Sequence, residues 1–337
     1  MFVMLSGPWP RAKPDGSDAD VKWADRVREV VGAQVEAGMG FVTDGHVRWA
    51  DPAVAVLAAL EAGDTGPDGL LPRAWRATAA TASAMGTDVP VAQAVPGPYT
   101  LGRRGCSGLP ATSVEREERT LSLARVLASE LVALATAGCP IVIVEEPAAV
   151  EIGSDSPERA LFSAAQQRLL ADLEAFPDLH AMLAITGGSA AEAGAAAIFA
   201  APYRSYLFDL VAGPDNWYLV RAAPSDRGIV CGAMRAETPG AEDQLPLLVW
   251  AARYAASAGG RGPDRVGLAN ATPLGGLDPA AAREALLTLG RAAGLAAMPL
   301  DRAVAAGLDP RTVGSRTAAL GPDAPRPPRP PRGRALP

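Results

Sequence analysis

Residues 140–147 read PIVIVEEP. Four β-branched residues follow a proline and end on two carboxylates, Glu145 and Glu146. A run this uniformly apolar has no wet face, so it predicts a strand buried on both sides, as in a parallel sheet covered by helices. Its neighbours agree. EREERTLSLARVLASELVALATAG (115–138) precedes it with helical periodicity, and SPERALFSAAQQRLLADLEAF (156–176) follows, opened by Ser-Pro-Glu.

Outward in both directions the same unit recurs. Short apolar runs stand at FVMLS (2–6), MGFVTDG (39–45), VPVAQAV (89–95), HAMLAITGG (180–188), SYLFDLV (205–211), GIVCGAM (228–234) and RVGLANATPLGG (265–276). Between them lie helical stretches at 18–38, 51–63, 189–201, 242–260 and 278–294. Gly38 is placed as a C-cap. Asp51-Pro52 and Asp278-Pro279 are placed as helix starts, with Asp capping and Pro at the first position. Eight βα units in series predict a single (β/α)8 TIM barrel over residues 1–300. No Gly-x-Gly-x-x-Gly follows the first strand, which argues against a dinucleotide fold. Residues 301–337 form a C-terminal extension whose tail, GPDAPRPPRPPRGRALP, is expected to be disordered; a docking peptide for a proline-binding module is the minority reading.

Composition narrows the function classes. The chain has 337 residues, 49% hydrophobic, enough for one large domain or two small ones. A net charge of −6 disfavours nucleic acid. No apolar run approaches the ~18 residues of a membrane span. The three cysteines are far apart and suit a reducing cytoplasm rather than a disulfide framework. The expected partner is a small molecule; oligomeric state is not legible.

In a barrel of this kind chemistry sits at the C-terminal ends of the strands. His46, one of two histidines, lies there with Asp44, and is read as a general base. Of Glu145 and Glu146 only one need face the barrel axis, because neighbours on a strand point oppositely; Glu145 is taken as the catalytic one, and Glu237, past the seventh run, as a third catalytic group. Trp9, Asp44, Tyr99, Asp209, Arg235 and Asn270 are the expected substrate-binding residues. A lone histidine is weak evidence for metal, and no metal ligand is assigned. Cys231, Cys139 and His180 are read as structural, and Cys106 receives no role.

These strand ends, in this order, resemble the cobalamin-independent methionine synthases, specifically their catalytic barrel, in a superfamily that includes uroporphyrinogen decarboxylase. The resemblance covers roughly residues 1–295 and rests on QVEAGMGFVTDGHVRWADP, VPGPYTLG, ALATAGCPIVIVEEPA and NATPLGGLDP. It implies methyl transfer from methyl-folate to a zinc-bound homocysteine thiolate. It also marks departures. Where the family has His-x-Cys after strand five, this chain has Ala184-Ile185-Thr186-Gly187; where it has a ligating Cys after strand eight, this chain has Asn270-Ala271-Thr272-Pro273. Asp209 stands in for a Glu ligand. The family's Gly-Glu, which holds the substrate amino group, is Gly45-His46 here; its Asp-Glu-Pro is Glu145-Glu146-Pro147, and its acid His corresponds to Glu237. The expectation is therefore a methionine-synthase-like methyltransferase homologue with an altered, zinc-free site. It would act on a small molecule other than, or in addition to, homocysteine, with methyl-folate as a possible donor. The alternatives are a non-catalytic small-molecule-binding barrel and, less favoured, a decarboxylase-like lyase.

Overall fold

The structure is a computed structural model that describes residues 1–10, 19–104, 113–236, 244–299 and 301–302. The Pro/Arg-rich tail, Cys106 and Glu237 fall outside the described residues. Among the described residues seven parallel strands form one sheet: β1 (Phe2–Met4), β2 (Ala92–Pro96), β3 (Ile141–Glu145), β4 (His180–Ile185), β5 (Ser205–Asp209), β6 (Gly228–Met234) and β7 (Val266–Asn270), in the order β1-β7-β6-β5-β4-β3-β2. Every pairing is parallel.

The sheet curls around a small inner cluster to which each strand contributes, including Met4, Ala94, Ile143, Met182, Leu207, Val230 and Ala269, joined by Phe41. The outward side chains pack under the helices in a second, larger cluster. This two-sided burial is why β3 needs no polar alternation.

The expected second strand corrects the count of eight. Residues 39–45 supply one parallel bridge, Val42 to Val91, rather than a strand. Gly40 N–H donates to Val3 O (2.9 Å), and Val42 exchanges bonds with Pro90 O and Ala92 N–H, so the segment lies between β1 and β2. The ladder stops at Thr43 because a side chain takes its backbone groups. Gln34, wholly buried, donates from Nε2 to Thr43 O (2.8 Å) and accepts Thr43 N–H at Oε1 (3.0 Å).

The helices are α1 (Ala19–Glu36), α2 (Pro52–Glu61), α3 (Leu70–Ala84), α4 (Pro98–Arg104), α5 (Ser113–Thr136), α6 (Ser156–Leu170), α7 (Ala195–Ile198), α8 (Trp217–Ala222), α9 (Leu245–Ser257) and α10 (Pro279–Ala297). Local chemistry sets their ends. Asp51, Asp155 and Asp278 each accept first-turn N–H groups. Gly38 turns left-handed after α1 (φ 70°), with Gly38 N–H on Val35 O and Met39 N–H on Gln34 O. The helix expected over 189–201 is reduced to a 3-10 turn (Ala191–Ala193) and α7, because Gly194 (φ 83°) breaks it. Three helices, α3, α4 and α8, went unread in the sequence. No helix among the described residues is long and apolar enough to cross a membrane.

Candidate functional site

A cavity of about 260 Å³ opens at the C-terminal ends of the strands. Ser6 and Gly7 border it after β1, Pro96 at the end of β2, Glu145 at the end of β3, Thr186 after β4, and Ala271 and Pro273 after β7. His46 enters from the loop beyond the Val42 bridge, and Asp51, Thr100 and Arg104 complete the wall. Prolines and alanines make most of the remaining surface.

Its centre is a pair. His46 Nε2 lies 2.9 Å from Glu145 Oε2. The imidazole is 3% exposed while the Glu145 side chain is 22% exposed, so the carboxylate presents the larger surface to the cavity. His46 is held by an unusual backbone: it is the non-glycine residue with positive φ (52°) among the described residues, directly after Gly45 (φ 58°). A left-handed L-residue costs roughly 1–2 kcal/mol, and such strain persists where neighbours fix it. Here Asp44 Oδ1 accepts His46 N–H (3.0 Å), Trp49 N–H donates to His46 O (3.2 Å), and Trp9 N–H donates to Gly45 O (2.9 Å). A side chain at Gly45 would strike Trp9, its Cβ coming within 2.8 Å of the Trp9 Cβ.

Glu146 takes the opposite part. It is wholly buried behind the wall, where Oε1 accepts Tyr99 N–H (3.0 Å) and Gln166 Nε2 (2.6 Å) and Oε2 accepts Thr100 N–H (2.7 Å) and Thr100 Oγ1 (2.6 Å). Burial pushes its pKa up, and the four donors work against that shift. The carboxylate fixes the start of α4 against β3, and Gly97 makes room for it: a Cβ there would lie 2.2 Å from Glu146 Oε1. The alternation expected of adjacent strand residues thus separates a cavity carboxylate, Glu145, from a structural one.

The other expected site residues divide sharply. Asp44 borders a small recess beneath the pair, with Oδ2 3.4 Å from Arg48 Nε. Trp9 is 1% exposed and supports the Gly45–His46 turn from behind. Tyr99, expected to bind substrate, sits within the wall. It is fully buried, its hydroxyl donates to Glu158 Oε2 (2.6 Å), and burial followed by that carboxylate pushes its pKa up. Asp209 is likewise occupied: Oδ1 accepts Val211 and Ala212 N–H (2.9 and 2.8 Å) and Oδ2 accepts Gly187 N–H (3.0 Å). Asn270 clamps Ser6, accepting its N–H (2.9 Å) and donating to its carbonyl (2.7 Å). Arg235 is exposed and off the cavity wall, with its backbone bound to the Gln244 side chain. Glu237 lies outside the described residues.

Sequence reasoning missed Arg104. It ends α4, a helix read as loop, and pairs with Asp51 at the cavity rim. The signal was present in the Gly-Pro start at 97–98 and the basic pair at 103–104, which suits a helix C-terminus.

The zinc centre implied by the resemblance does not fit the described residues. The positions after β4 are Thr186 and Gly187, Asp209 has both oxygens on backbone amides, and Asn270 is bound to Ser6. No group of three or more His, Cys, Asp or Glu side chains among the described residues is gathered to hold a metal. Cys139 and Cys231 are buried and distant in role, with thiol pKa values pushed up to about 12 by burial.

No protein-family profile and no curated protein matches the chain. Solved structures do. A B12-independent methionine synthase from Shewanella sp. W3-18-1, in complex with selenomethionine, aligns over 87% of this chain and 96% of its own, with a TM-score of 0.66 and 14% identity. A Listeria monocytogenes protein described as a candidate vitamin-B12 independent methionine synthase aligns over 87% of this chain and 97% of its own (TM-score 0.65, 14% identity). A methyltransferase from Methanosarcina mazei aligns over 87% and 94% (TM-score 0.58, 13% identity). At such identity the likeness is one of fold: this chain has the architecture found in methionine-synthase-like methyltransferases.

Proposed function

We propose that the chain is a methionine-synthase-like methyltransferase homologue with a zinc-free site, acting on a small molecule other than, or in addition to, homocysteine. Its barrel is the eight-unit (β/α)8 form with the second strand worn down to the Val42 bridge. The observation that carries the proposal is the Glu145–His46 pair at 2.9 Å on a cavity at the strand ends. A zinc enzyme lowers the pKa of its acceptor with the metal. Here the acceptor X–H gives its proton to the Glu145–His46 pair instead, as general base.

The X–C bond forms as the donor's methyl–nitrogen bond breaks. The leaving nitrogen takes up one proton, and the pair returns to its starting state. A folate-type N-methyl compound is the donor class considered first. His46, less open to the cavity than its partner, acts by orienting and polarising Glu145, while Ser6, Thr186 and Arg104 offer further polar contacts. The same geometry also supports a second reading, a barrel that binds without turnover, because Asp209 and Asn270 are committed to backbone groups.

The test is transfer of an isotopically labelled methyl group from methyl-tetrahydrofolate to a panel of small thiols and amines by the full chain. The proposal expects transfer that falls 100-fold or more in Glu145→Gln, the scale of a general-base contribution of roughly 10²–10⁴. Ligand binding with no transfer supports the binding-only reading. Transfer untouched by Glu145→Gln refutes the assigned role.

A further inference from the structure

The methyltransferase reading leaves unused an aromatic ledge on the outside of the barrel. Trp250 and Tyr254, one turn apart on α9, stack at 5.3 Å and 20°. Trp217, at the start of α8, sets its ring nearly perpendicular to both, at 5.3 and 5.1 Å. The ledge is open to solvent: Trp250 is 37% exposed, with Leu247 (44%) before it on α9 and Tyr218 (56%) beside it on α8. Large aromatics on adjacent helices, left in contact with water, form a surface that favours a partner.

The chain itself leads to this surface. Arg253, between Trp250 and Tyr254 on α9, donates a hydrogen bond to Met298 O, just past the end of α10. Residues 250, 253 and 254 share a helix face, so the polypeptide leaves the barrel one arginine side chain away from the face of α9 that carries the rings. Beyond it stands PRPPRPPR (325–332). Its period of three matches the three residues per turn of a polyproline II helix. In that form Arg326, Arg329 and Arg332 line one edge and the prolines form the other two. Aromatic ledges take up proline-rich segments because the prolines stack on rings with little entropy to lose, and guanidinium groups gain from ring faces. Asp215, exposed just before α8, adds a carboxylate for the arginine edge. The 22 residues 303–324 suffice for reach: a coil of that length spans about 25 Å, and tethering puts the segment at millimolar effective concentration.

We infer that residues 325–332 of the same chain dock on the Trp217–Trp250–Tyr254 ledge, making the Pro/Arg tail an intramolecular strap over α8 and α9. The experiment uses the full chain labelled with 5-fluorotryptophan and read by fluorine NMR. Trp217→Phe and Trp250→Phe assign two of its six tryptophan resonances. The comparison is with a full-length tail variant, Pro327→Ser, Pro328→Ser, Pro330→Ser and Pro331→Ser, which alters no residue of the described fold. The Trp217 and Trp250 resonances are expected to shift in the tail variant, at every protein concentration, while Trp9, Trp23, Trp49 and Trp75 stay. Millimolar synthetic peptide 320–337 is expected to restore the wild-type positions. Unchanged Trp217 and Trp250 resonances overturn the inference. A shift that appears only at high protein concentration also overturns it, since it assigns the occupant to a second copy.

Discussion

Replacing Gln34 by Met tests how the site loop is held. The two side chains are similar in volume, so the change opens little space. It removes both bonds to Thr43 and the bond from Nε2 to Val30 O (3.1 Å). Gln34 is 0% exposed and Thr43 5%, so water does not replace the lost partners. Two backbone groups of Thr43 are left stranded, at about 1–3 kcal/mol apiece, or about 2–6 kcal/mol together. The assay is equilibrium urea unfolding of Gln34→Met against wild type, with hydrogen exchange read at Gly45 and His46. The midpoint should fall with an unchanged slope, since the surface exposed on unfolding is the same. Exchange should quicken at His46, whose strained backbone rests on the segment Gln34 pins. A loss below about 1 kcal/mol, with His46 exchange unaltered, refutes the claim that a side-chain amide substitutes for the missing strand ladder.

Other consequences are as specific. Glu146→Gln turns an amide N–H₂ toward a backbone N–H, of Tyr99 or of Thr100, in either orientation and should cost about 1.5–3 kcal/mol in urea unfolding, whereas Glu145→Gln, whose amide can still bond His46, should cost less, about 0.5–1.5 kcal/mol. Gly97→Ala forces a Cβ to 2.2 Å from Glu146 Oε1 and should destabilise by about 1–3 kcal/mol or more; soluble yield and thermal midpoint report it. His180, at the opposite end of the barrel with Nε2 2.7 Å from Ser205 Oγ, has its pKa lowered to about 4 by burial and, secondarily, by Arg204. A depressed histidine stabilises the fold above its unfolded value near 6.5. That contribution is lost as pH falls from there toward 4, to at most about 3 kcal/mol. His180→Asn should flatten the stability profile between those limits; an unchanged slope contradicts the assignment.

The curled parallel sheet under its helices was legible because the alternation of apolar runs and helices is written in hydrophobic period, and Asp-Pro and Gly punctuation marked the ends correctly at Asp51, Asp278 and Gly38. The shortened second strand was not, since it depends on where the Gln34 amide lands, a tertiary matter that local pattern does not carry. The site shows the same division. Residues at strand ends serve either the ligand or the turn, and both uses favour Asp, Asn, Glu and His. Asp44, Asp209 and Asn270 cap or clamp backbone groups, while Glu145 alone of the adjacent carboxylates meets the cavity. The pairing of His46 with Glu145, 99 residues apart, follows from the loop beyond the bridge lying over the end of β3.

Metal content bears most directly on the central claim that this barrel works without zinc, through Glu145 and His46. Tag-free full-length protein, grown with zinc supplied, is analysed by mass spectrometry and titrated with homocysteine by calorimetry. The account predicts zinc well below one equivalent per chain and, for any ligand bound in the cavity, a heat that disappears in Glu145→Gln. Near-stoichiometric zinc together with homocysteine binding would contradict it and return thiolate chemistry to this site.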